Sequence, residues 1–151
     1  MIAPALLGPI DVLAEEVVSG VTIIEFLLLG LVIVNLAVRW VAHRGYVAAA
    51  RDDGVDALSR SLLLDVTNVL LILGAFYYIT VQVHGGVVFT FLVIGLLVAD
   101  FFEFEARLVE ARTEAPLERP KGALFASTLV FAYIAYQSLF FLIQPFWDAV
   151  V

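Results

Sequence analysis

Cysteine is absent from the 151 residues, and lysine occurs once. Without thiolates there is no disulfide, no cysteine-ligated iron–sulfur cluster and no thiol nucleophile. The single Lys121 lies outside every long apolar run, so no span offers an amine for a Schiff base. Basic residues number 8 against 15 acidic ones, a net charge of −7. No basic patch is large enough to neutralise several phosphates along a nucleic acid, so nucleic acid is not an expected partner. No GxSxG, HExxH, P-loop or GxGxxG stretch occurs, and the few Ser and Thr residues have no base beside them. No enzymatic activity and no cofactor are therefore expected. The start "MIAPALLGPIDVLAEE" lacks a positively charged segment, so a standard cleavable signal peptide is not expected either.

What fills the chain is apolar: 63% of residues are hydrophobic and the mean hydropathy is +1.05, where a soluble domain sits nearer half apolar. About 20 apolar residues in helix cross about 30 Å of hydrocarbon. Four stretches qualify: 17–38, 62–83, 87–104 and 124–146. The expected fold is all-α, a single integral membrane bundle of four transmembrane helices, multi-pass in the cell membrane. Only "HGG" separates the second and third spans, which predicts a tight antiparallel hairpin. Arg39, Arg44, Arg51 and Arg60 lie between spans one and two; Arg107, Arg112, Arg119 and Lys121 lie between spans three and four. That is every basic residue, so the positive-inside rule makes both charged loops cytoplasmic and both termini external. Trp40 and Tyr46 would mark the inner interface and Trp147 the outer one.

The charged loops are expected to carry helix. "EFEARLVEARTEAP" continues span three, with Glu103 and Arg107 spaced to pair, and Pro116 and Pro120 end it. Asp53 can cap a helix starting near Gly54. Residues 1–16 form an outer amphipathic segment, with Ile10, Leu13 and Ala14 on one face and Asp11, Glu15 and Glu16 off it. They read either as an interfacial helix or as the first turns of a long span one. Gly95 with Ala99, and Thr128 with Ala132 and Ala135, form small-residue faces that permit close helix approach.

Polar residues inside the spans are the candidates for function. Measured from the nearest loop arginine at 1.5 Å per residue, Asn35 lies about 6 Å, Asp65 about 7 Å and Asp100 about 10 Å into the apolar layer. Asn68 is one turn deeper than Asp65. Polar side chains from three spans thus converge on one level of the cytoplasmic half. One reading is a proton- or cation-handling cluster with Asp65 and Asp100 as carboxylates and the Asn residues as neutral oxygen ligands. The other is interhelical hydrogen bonding, or pairing of the acids with Arg60 or Arg107. Glu25 stands apart, about 21 Å from Arg39 by the helical rise and with no basic residue near it. It is protonated by burial, or faces Gln137, Tyr133 or Tyr136 of span four, or meets a partner subunit. His43 and His84 fall at opposite ends of the spans, so one chain cannot bring both to one haem.

The acid-rich, Arg-over-Lys loops "VAAARDDGVDALSR" and "EARLVEARTEAPLERP", with the four-span layout, resemble uncharacterised small integral membrane proteins of salt-loving archaea. The resemblance covers the whole chain and implies no catalytic residue. The function expected is that of a non-catalytic accessory or assembly subunit of a larger membrane complex, of which a respiratory or other energy-transducing complex is the commonest kind. Its partners would be the lipid bilayer and other membrane subunits, or further copies of itself. The alternative is a homo-oligomeric proton or cation channel or carrier that uses Asp65, Asp100 and Glu25.

Overall fold

The computed structural model describes residues 7–151. Four helices make up most of it: α1 (Ile23–Asp53), α2 (Leu62–Val81), α3 (Val83–Arg112) and α4 (Lys121–Val150). All four are long and apolar enough to cross a membrane. In front of them stand a 3-10 turn over Gly8–Ala14 and a two-stranded antiparallel hairpin, β1 (Glu16–Val18) and β2 (Val21–Thr22). Ser19 and Gly20 turn that hairpin with positive φ at both positions, the conformation that matches strand twist in a two-residue loop. Residues 8–22 are therefore not an α-helical extension of span one: a short 3-10 helix and the hairpin occupy them ahead of α1. Of the predicted outer segment, residues 1–6 lie outside the described residues.

The first helix begins at Ile23 rather than residue 17, because Thr22 is extended and Glu25 reaches back to cap it. It runs on to Asp53 and stops at Gly54, whose φ of 79° a side chain would disfavour. Asp53 thus ends a helix instead of capping the next one. The second helix is capped by Ser61, whose hydroxyl accepts from the Leu64 N–H. A single extended residue, Gln82, joins α2 to α3, so His84, Gly85 and Gly86 lie within the first turn of α3. A Cβ on Gly86 would meet the α2 backbone at Ile79, which is why the hairpin closes on glycine. The third helix continues through the charged segment to Arg112.

Buried positions recur at heptad-like spacing, for example Leu28, Val32, Asn35, Arg39, Ala42 and Tyr46 on α1. Leu64, Asn68, Leu71, Ala75 and Tyr78 do the same on α2. Such seams belong to helices that pack at a shallow crossing angle. Each helix packs against its two neighbours in chain order, and α4 closes back on α1. The diagonal pairs are α1 with α3 and α2 with α4. The bundle has two ends: an arm end, where the α1–α2 and α3–α4 connections lie, and a turn end at Gln82. The middle is apolar, with Leu28, Val32, Leu71, Val93, Leu96, Val130 and Ile134 almost wholly enclosed. A second, smaller core at the arm end joins Ala42, Tyr46, Leu58, Leu64 and Phe104. Gly95 and Thr128 face outward, and α4 buries Ala123, Ser127, Val130, Ile134 and Ser138 instead of the small face read from sequence.

Candidate functional site

Toward the arm end the seams of three helices turn polar at one level. Asn35 on α1 donates from Nδ2 to Thr67 Oγ1 and to Asn68 Oδ1, each at 2.8 Å. Asn68 Nδ2 donates to Asp100 Oδ2 on α3 at 3.2 Å. Arg39, one turn beyond Asn35, is only 1% exposed, and its Nη1 donates to Asp100 Oδ1. That ion pair crosses the bundle on its diagonal, between helices whose backbones do not pack directly against each other. Arg39 Nη2 also lies 3.3 Å from Asn35 Oδ1. Asp100 takes a second cation, Arg60 Nη2, at 3.0 Å.

Asp65 occupies the rim. Arg60 donates to it from Nε at 3.1 Å and from Nη2 at 2.9 Å, and both side chains are more than a third exposed. The hydrogen bond to Asp65 is the main reason the Arg60 guanidinium pKa is raised, so Arg60 stays charged at any ordinary pH. The cluster is an alternating chain, Arg39–Asp100–Arg60–Asp65, with two positive and two negative groups. Arg107, also buried, makes no ion pair among the described residues and lies with its guanidinium carbon 4.8 Å from the Tyr46 ring centroid. Its expected partner Glu103 instead accepts the Gly122 N–H at 2.8 Å and ties the start of α4 to α3.

The turn end holds the second polar group. Glu25 sits three residues after Thr22 and accepts the Thr22 N–H at 2.6 Å and the Thr22 hydroxyl at 2.9 Å on Oε2. Its other oxygen, Oε1, is 2.7 Å from the Tyr78 hydroxyl of α2, which in turn lies 2.5 Å from the Gln82 amide. A phenol carries one proton. With that proton on Glu25, a Gln82 amide turned to present nitrogen satisfies the hydroxyl oxygen. The partner of Glu25 is thus α2, not span four. Gln137 and Tyr133 bond to each other at 3.0 Å, and Tyr136 packs on Phe140.

The structure brings Asn35, Asn68 and Asp100 together, puts Asp65 at their edge, and keeps Glu25 at the opposite end. Sequence reasoning missed Arg39 and Thr67 in the first group and Tyr78 in the second. Thr67 sits beside Asn68 on the buried face and carried a signal; Tyr78 carried none. His43 and His84 are far apart along the bundle, on α1 and in the first turn of α3. Among the described residues no three His, Cys, Asp or Glu side chains are placed to hold a metal ion.

Residues 3–151 match the family described as "Domain of unknown function (DUF7313)". The chain belongs to that family. Neither the curated proteins nor the solved structures contain a match to this DUF7313 chain. The geometry is then the ground for a functional reading. The arm-end cluster of the DUF7313 bundle pairs its charges internally, which suits joining helices better than cycling an ion.

Proposed function

We propose that this DUF7313 protein is a non-catalytic helical subunit of the cell membrane that assembles with other membrane subunits, or with itself. The observation that carries this reading is how the interior is closed. Both polar clusters are hydrogen-bonded within the chain, and the layer between them, from Leu28 to Ile134, is almost fully buried apolar side chains. Among the described residues the layer between the two ends is therefore apolar packing and not a wet path. What one copy does offer outward is α4, whose Thr128, Ala132 and whole last turns are exposed. Small outward residues let a further helix come close. All basic side chains lie at the arm end, which supports placing both arms in the cytoplasm and the hairpin and both termini outside. The acid-rich, Lys-poor arms suit a high-salt setting. Isolation of the intact protein from its membrane in mild detergent, with mass spectrometry of what accompanies it, tests the assembly. A defined set of other subunits, or a discrete homo-oligomer, is the expected outcome; a lone monomer at native abundance would overturn it.

One observation favours the carrier reading as a second choice. Asp11, Glu16 and Glu25 line a cavity of about 220 Å³ at the turn end, where a cation could enter. Flux through reconstituted protein that falls in Glu25→Gln would support it. Equal flux in empty and protein-bearing vesicles would remove it.

A further inference from the structure

We propose that the groove between α1 and the start of α4, at the arm end, binds a phosphate group, and that its source is the headgroup of an anionic lipid. The groove encloses about 540 Å³, and Arg39, His43, Arg44, Arg51 and Arg119 line it with no Asp or Glu among the lining residues. Half of the chain's 8 basic residues meet here in a protein of net charge −7. A concentration of one sign against the overall charge is the electrostatic pattern of an anion site.

Two nitrogens of the lining are buried without a hydrogen-bond partner, Arg39 Nε and His43 Nδ1. Asp100 and Asn35 engage the Nη atoms of Arg39, so Nε is the donor left over. Arg44 is already positioned, its guanidinium 3.8 Å from the Trp40 ring centroid, which lowers the entropy lost when it grips an oxyanion. Arg51 contacts Asp52 only at an exposed 3.3 Å, a pairing a phosphate can displace. Pro120 and Leu124, at the start of α4, line the opposite wall.

The choice of lipid over a free anion rests on what surrounds the groove. Trp40, Val41 and Val47 are exposed beside it, an apolar surface along which an acyl chain can lie. Basic pockets between membrane helices take lipid phosphates by the same combination. The lipid source depends on the membrane reading of the chain; the phosphate chemistry does not.

The test uses the full-length protein in a neutral detergent, titrated with short-chain phosphatidylglycerol, short-chain phosphatidylcholine and inorganic phosphate. Phosphatidylglycerol is expected to bind saturably, one per chain, and more tightly than the other two. Arg44→Gln and Arg119→Gln, both at exposed positions, should each weaken it about tenfold, the effect of one lost charge-assisted contact. Arg112→Gln, outside the groove, should not. Competition on the unaltered protein needs no variant: millimolar inorganic phosphate should displace the lipid where chloride at equal ionic strength does not. Equal affinity for phosphate and phosphatidylglycerol would overturn the lipid source. No saturable binding of either, or binding indifferent to phosphate competition, would overturn the site.

Discussion

Asp100 accepts two arginines and an asparagine while nearly enclosed, so its charge decides whether the arm-end cluster is balanced. Removing one member of a buried pair strands the other, at about 3–5 kcal/mol. Asp100→Asn should therefore lower stability by roughly 3 kcal/mol, read from denaturant or thermal unfolding in detergent by circular dichroism. Asp65→Asn at the exposed rim should lose less than about 1 kcal/mol in the same assay. Replacing the diagonal pair together, Arg39→Met with Asp100→Leu, should recover only part of what the Asp100 change loses: Arg60 keeps Asp65, but the buried Asn68 Nδ2 loses its acceptor. At the turn end, Tyr78→Phe removes one interhelical bond to Glu25, and a drop of about 0.5–2 kcal/mol is expected. Much of this site was legible by counting residues from the loop arginines, and that is how Asn35, Asn68 and Asp100 fell on one level. Arg39 was not, because the same counting used it to mark the membrane edge, whereas α1 continues as helix past it and turns it inward. The diagonal contact to Asp100 depends on bundle packing, which no local pattern encodes.

The joints between elements are governed by a few small or capping residues. Gly86 lets α3 approach α2 directly after the single-residue link, and Gly86→Ala should destabilise by about 1–3 kcal/mol, the usual effect of forcing a methyl into a filled contact. A helical hairpin that still unfolds at the unaltered midpoint would contradict this. The hairpin was plain in the sequence from its short polar break, but its turn lies at Gln82 rather than in "HGG", since glycine was needed for closeness and not for the bend. The start of α1 had a readable sign as well. Thr22-Ile-Ile-Glu25 before an apolar run is the spacing of a capping box, and it places Glu25 in the first turn of the helix instead of deep within a longer one. The hairpin of β1 and β2 in front was not readable, because five residues in strand are too few to show alternation.

Across the whole molecule the apolar core is a weaker argument for association than it would be in water, because lipid tails are as apolar as leucine. Close packing still matters: the methyl groups of Leu28 touch α2 at Gly74, where an added Cβ would lie 2.7 Å from its side chain. The lack of cysteine makes sidedness easy to measure. Single cysteines at Arg51 and His84 should react with an impermeant thiol reagent from opposite faces of sealed vesicles, Arg51→Cys from the inside only. Labelling of both from one face would overturn the four-span arrangement. The number of spanning-length helices followed from composition and length alone, since a continuous apolar run of about 20 residues satisfies its backbone in hydrocarbon as a helix.

The diagonal pair also has a consequence for how the protein is made. Arg39 leaves the ribosome 61 residues before Asp100, and α2 is complete in between. During that interval its guanidinium has no counter-ion from α3, so water or headgroup phosphate is the lowest-energy place for it. α1 is expected to reach its final depth when α3 supplies that carboxylate. A nascent chain truncated before Asp100 is therefore expected to leave α1 shallower and more open to proteolysis than the full chain does, which limited proteolysis of the two in membranes would measure.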